Sequence, residues 1–95
     1  MIKLSVAYNE NSEDFESNLK SAISNYEDVD LITYHENTLK GKKKAFKLKG
    51  GFSAKESPFA VIHDTDNIPV KAFYTEAGTC TVDEILKSIN SILCK

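Results

Sequence analysis

A strand, an amphipathic helix and a second strand follow one another within the first 34 residues, and this order constrains the fold more than any other feature of the chain. Ile2, Leu4, Val6 and Tyr8 alternate with Lys3 and Ser5, which predicts a strand from Ile2 to Tyr8, closed by the polar loop Asn9-Glu10-Asn11-Ser12. Ser12 stands where a helix N-cap is expected. Glu13, Asp14 and Glu16 suit the positive end of the helix dipole, and Phe15, Leu19, Ala22, Ile23 and Tyr26 form one apolar stripe. Val29 to Tyr34, rich in β-branched and aromatic residues, predicts the second strand. Two strands joined through a helix pair in parallel with a right-handed crossover. With 95 residues only one small core can form, so the unit is expected to belong to a single domain spanning 1–95.

The segment from Thr38 to Ser57 is the least legible. Leu39, Ala45, Phe46 and Leu48 supply a thin apolar stripe, and the spacing predicts a short helix ending at Gly50-Gly51. Pro58 then opens the apolar run Phe59-Ala60-Val61-Ile62, suited to a strand buried on both faces, with Pro at its mouth. Asp64, Asp66 and Asn67 supply turn chemistry, and Val70 to Tyr74 returns as an antiparallel hairpin strand. In the last element Thr81 and Glu84 have capping-box spacing, and Val82, Ile85, Leu86, Ile89, Ile92 and Leu93 repeat at helical intervals. The result is an α/β chain of order β-α-β-α-β-β-α, with a four-stranded mixed sheet flanked by helices.

Composition excludes several classes. The N-terminal apolar stretch is too short for a secretory signal, and no later run approaches the roughly 20 residues of a membrane span, so the cytoplasm is the expected location. Cys80 and Cys94 match no metal spacing and no Cys-x-x-Cys. A helix between them would hold them about 21 Å apart, beyond the ~7 Å reach of a disulfide, which predicts two free thiols. His35 and His63 have no ligand at metal spacing, and Asp64-x-Asp66-Asn67 lacks the Gly and closing Glu of a calcium loop. The net charge of −2 hides an uneven distribution: −6 before Lys40, +7 from Lys40 to Lys55 and −3 after it. All twelve basic residues are Lys. The guanidinium fork favoured for phosphate and guanine is therefore missing, and nucleic acid is a disfavoured partner. Lysine without arginine also fits an AT-rich genome, as in many phages and low-GC bacteria, in which case the host cytoplasm is the expected setting.

The element order, with Gly50-Gly51-Phe52, Ser57-Pro58-Phe59 and the strand from Lys71 to Tyr74, resembles the thioredoxin-like fold in its compact glutaredoxin form, over nearly the whole chain. The resemblance implies that Pro58 is a cis-proline and that the backbone beside Ser57-Pro58 pairs with a bound peptide or glutathione. It implies a groove framed by Tyr8, Asn9 and Ser12, by Ser57 and Pro58, and by Gly78, Thr79, Cys80 and Thr81. Lysines such as Lys44 and Lys47 are expected at its rim.

Where the family carries its catalytic thiol, at the start of the first helix, this chain has Asn9-Glu10-Asn11-Ser12-Glu13. A helix N-terminus favours a thiolate, but no thiol is present there, and Glu10 and Glu13 would oppose one. Dithiol exchange at that place is excluded, and a cap role explains Ser12 without catalysis. The expectation is a redox-inactive binding or adaptor module for a peptide, protein or small thiol, with no catalytic residues and no metal. Two alternatives remain: a glutathione-linked thiol oxidoreductase using Cys80, and a binder of nucleic acid or acidic protein through the lysine block. Cys94 is expected to be a buried or half-buried structural residue.

Overall fold

The computed structural model describes residues 1–94. Along the chain run β1 (Ile2–Tyr8), a 3-10 turn (Glu10–Ser12), α1 (Glu13–Ile23), β2 (Val29–His35), α2 (Leu39–Gly51), β3 (Phe59–His63), β4 (Pro69–Tyr74) and α3 (Val82–Leu93). The four strands form one mixed sheet in the order β2-β1-β3-β4. β1 and β2 pair in parallel from Ile2 opposite Val29 to Tyr8 opposite His35, as the strand-helix-strand order requires. β3 runs antiparallel to both β1 and β4, with Leu4 opposite Ile62 and Ala60 opposite Phe73.

Side-chain parity divides the sheet into two faces. Ile2, Leu4 and Val6 of β1, Ala60 and Ile62 of β3 and Phe73 of β4 pack with Leu19 and Ile23 of α1 and Ile85 and Ile89 of α3. The opposite register positions, Ser5, Ala7, Phe59 and Val61, are also buried, and α2 covers that side of β1 and β2. The polar position Ser5 of the alternation is thus buried as well. β1 is central in the sheet with helices on both sides, so both of its faces leave water.

Local features depart from the sequence expectations in four places. Ser12 makes no side-chain cap bond to α1; Asn9 is the capping residue, its Oδ1 accepting from Asn11 N while its own N–H donates to Ser12 Oγ at 2.9 Å. α1 stops at Ile23, and Tyr26 lies in the following turn, where its hydroxyl donates to Asn90 Oδ1 at 2.8 Å. α2 is a full 13-residue helix whose buried positions are Gly41 and Ala45, while Leu39 and Phe46, assigned to its apolar stripe, are 91% and 80% exposed. Cys94 is exposed, because it lies beyond the end of α3 as its C-cap, past the last core contact at Ile92. At Thr81 the cap bond is present, its Oγ1 accepting from Glu84 N at 3.2 Å, while its own N–H is taken by the Thr79 carbonyl. Both thiols are free. No helix among the described residues is long and apolar enough to cross a membrane.

Candidate functional site

Three chain segments meet at the end of the sheet where β1 finishes and β3 begins. The first is the turn entering α1, the second is the approach to β3, and the third is the β4–α3 loop. Between them lies a depression of about 360 Å³ lined by Asn11, Ser12 and Phe15 from the first segment, Pro58 from the second, and Thr75, Gly78, Cys80 and Thr81 from the third. The Ser57–Pro58 peptide bond is cis. The Thr75 hydroxyl donates to the Pro58 carbonyl, which ties the third segment to the second. Gly78 has φ +71°, a left-handed backbone that glycine adopts without a Cβ clash and that turns the loop towards α3. Ser12, Pro58, Gly78, Cys80 and Thr81 are thus brought to one place.

The other expected site residues do not line the depression: Asn9 and Ser57 adjoin it but are engaged with Ser12 and with Lys49 and Glu36, respectively. Tyr8 packs its ring on His35 with centroids 4.7 Å apart, and burial, followed by the charges of Glu16 and Glu13, pushes its hydroxyl pKa up. Thr79 turns inward, its Oγ1 accepting from Tyr74 N at 2.8 Å. Lys44 and Lys47 do not rim the depression. They border a separate hollow where one flank of α2 meets β2, with Tyr34, Leu48 and Phe52. The lysines that face this end of the sheet are Lys42, Lys49 and Lys55, beside a larger cavity of about 630 Å³ that shares Asn11 with the first. The helical phase of α2 explains the exchange. Gly41, Ala45 and Leu48 lie on one side of the helix, and Lys49 follows them at the edge of that side.

Lys49 is the member of the lysine block that forms an ion pair, whereas Lys44 Nζ lies over the Tyr34 ring, 5.9 Å from its centroid. Its Nζ donates to Glu36 Oε1 and to Ser57 Oγ, both at 2.9 Å, and Ser57 Oγ donates to Glu36 Oε2 at 2.6 Å. The triangle joins α2, the residue after β2 and the residue before Pro58. Its ion pair is largely shielded, with side-chain exposures of 15% for Lys49 and 20% for Glu36. Sequence reasoning missed this network. The available signal was Lys49 at i+4 from Ala45 and i+8 from Gly41, beside the buried stripe rather than opposite it.

Burial alone would raise the Glu36 carboxyl, but the hydrogen bonds from Ser57 and Lys49, with the charges of Lys49 and His35, outweigh it and hold the group below its ordinary 4.5. A carboxyl depressed in the folded state stabilises the fold above its unfolded pKa, and that contribution disappears as pH falls through the folded value. Stability is therefore expected to decline below about pH 4.5, and Glu36→Gln should flatten the decline in urea titrations. The residual slope belongs in part to Glu76, whose carboxylate is lowered chiefly by the backbone N–H of Lys55. An acid limb unchanged by the substitution would show that the triangle does not persist in solution.

Cys80 is buried, and desolvation, set against weaker opposing bonds from Thr75 and the Ala60 backbone, pushes its thiol from 9.0 up to about 12. Burial therefore keeps Cys80 as the neutral thiol at neutral pH, which opposes its use as a nucleophile. Maleimide labelling of the native protein should modify exposed Cys94 at least about a hundredfold faster than Cys80, with the two rates converging in denaturant. Equal native rates would contradict the burial of Cys80. His35 is engaged with Glu13 at 2.9 Å, and Asp64 closes the hairpin turn by accepting from Asp66 N and Ile68 N.

No protein-family model matches this chain, and no curated protein matches it in sequence.

Proposed function

We propose that the 95-residue chain is a single thioredoxin-like domain without dithiol redox activity, a binding module whose groove at Pro58 takes an extended peptide or a small thiol such as glutathione. The observation that carries this reading is the depression where Ser12, Pro58 and the Gly78-to-Thr81 loop converge, with no thiol at the start of α1. The element order and the strand order β2-β1-β3-β4, parallel on one side and antiparallel on the other, support the family resemblance. A ligand lying in the groove would meet apolar surface from Phe15 and Pro58 and hydroxyls from Thr75 and Thr81. The Ser12 hydroxyl is occupied by Asn9, at 3.1 Å from Oδ1 and 3.2 Å from the carbonyl oxygen, which argues for a structural role and against a nucleophilic one. The alternative that uses Cys80 requires a thiolate that burial suppresses.

The test is a pair of measurements on the free protein. In an NMR titration with reduced glutathione and with a short extended peptide, at least one ligand is expected to shift amides of Ser12, Ser57, Gly78 and Thr81. A disulfide-reductase assay is expected to show no activity above buffer. Reductase activity that disappears in Cys80→Ser would overturn the reading in favour of the enzyme, and absence of shifts with both ligands would remove the groove as a binding site.

A further inference from the structure

α2 carries a second surface, independent of the groove. Viewed down its axis at 100° per residue, Leu39, Lys43, Phe46 and Gly50 form one outward ridge opposite Gly41, Ala45 and Leu48. Leu39 is 91% and Phe46 80% exposed, two turns or about 10.5 Å apart along the helix. Lys40 and Lys47 flank the ridge on one side and Lys42 on the other, all exposed.

The charge on this face is not compensated within the helix. The helix contains no acid, and among the described residues Lys49 alone of its six lysines forms an ion pair. Lys40 with Lys43 and Lys44, and Lys47 with Lys43 and Lys44, stand at i+3 or i+4, where like charges repel. Lys40 and Lys42 also sit in the first turn, where the helix dipole disfavours cations. Carboxylates from outside would relieve both effects, while the apolar ridge between the lysines calls for apolar side chains.

The geometry points to the outer face of α2 as a docking surface for an acidic amphipathic helix of a partner protein. Such a helix places its apolar stripe on Leu39 and Phe46 and its carboxylates against the flanking lysines. Its chemistry matches the face better than nucleic acid does. A phosphate backbone has no use for exposed Leu39 at the start of the ridge, Phe46 is the ridge's sole aromatic, and the chain has no Arg.

The test uses two synthetic peptides of about 14 residues, long enough to match α2 as a helix. Both contain the same Glu, Leu and Phe residues, arranged as one apolar stripe in the first peptide and scrambled in the second. Amide shifts on isotope-labelled protein are followed, with single-stranded and duplex DNA titrated in parallel. The striped peptide is expected to shift Leu39, Lys43, Phe46 and Lys47, and to bind about tenfold more tightly than the scrambled one. Leu39→Ser with Phe46→Ser should remove that advantage, and amide shifts elsewhere in the spectrum report whether the double variant keeps its fold. Equal affinity for the two peptides, tighter binding of either DNA, or an α2 face silent to the striped peptide would each overturn the proposal. Groove ligands perturb Ser12, Ser57 and Thr81 instead, so the two proposals fail separately.

Discussion

Gly41→Ala is expected to destabilise the protein by about 2–3 kcal/mol, at the upper end of the usual range for overpacking. A Cβ at Gly41 would lie 2.0 Å from the His35 carbonyl oxygen and 2.5 Å from Thr38 Oγ1. Neither neighbour can move freely. The His35 carbonyl accepts from Thr38 N at 3.1 Å and from Thr38 Oγ1 at 2.9 Å, and that same Oγ1 caps α2 by accepting from Gly41 N at 3.0 Å. To admit the methyl group, α2 must withdraw from the end of β2 and pull Lys49 away from Glu36. Gly50→Ala is the matched control in the same helix. Apart from its chain neighbours and its own helix backbone, nothing lies within 4 Å of the position a Cβ would take there, so helix propensity should leave the variant neutral or stabilise it by up to about 1 kcal/mol. Urea midpoints decide the matter, and a Gly41→Ala protein as stable as the native one would mean that α2 does not approach β2 this closely.

Phe59→Ala should cost more, about 3–5 kcal/mol, as expected for truncating a fully buried aromatic side chain. A chain of this length has only about 5–14 kcal/mol of stability in total, so the variant should be near its unfolding limit at about 37 °C. The ring sits between Phe52 and Tyr74, with centroids 5.6 and 5.3 Å away, and the Tyr74 hydroxyl donates to the Phe52 carbonyl at 3.0 Å. That cluster anchors both ends of the segment from Phe52 to Pro58, which bears Ser57. Hydrogen exchange in the variant is therefore expected to accelerate between residues 52 and 58 by more than the global loss accounts for. Phe59→Leu keeps most of the volume and should cost about 1.5 kcal/mol or less. If it matches the alanine variant, ring stacking rather than volume dominates at this position.

How much of the fold is legible in the sequence depends on the range of the interactions involved. Ile2 to Tyr8 and the stripe of α3 announce themselves through the spacing of apolar residues, and Val29 to Tyr34 through its β-branched and aromatic content, all signals contained within a few residues. α2 does not, because the residues that face the sheet include Gly41 and Ala45, which carry almost no apolar signal, while Leu39 and Phe46 point to water. Weighting every apolar residue equally therefore misplaces its stripe. Local sequence points to Ser12 as the cap because Ser is a favoured cap residue next to an acidic first turn. The role of Asn9 and the intervening 3-10 turn become visible only with backbone geometry.

The same distinction separates what each level determines about the site. The amino-acid order alone establishes the alternation of strands and helices, a proline at the mouth of β3, and the lack of a thiol at the start of α1. These follow from residue identity and nearest-neighbour spacing. Only the tertiary structure decides which lysines face the groove end and which face away. It also decides that Cys80 is buried and that Glu36, Lys49 and Ser57, separated by up to 21 residues, close into one network. Helical periodicity fixes the angles between side chains, but the absolute phase of α2 is set by how closely Gly41 can approach the carbonyl of His35 on another element.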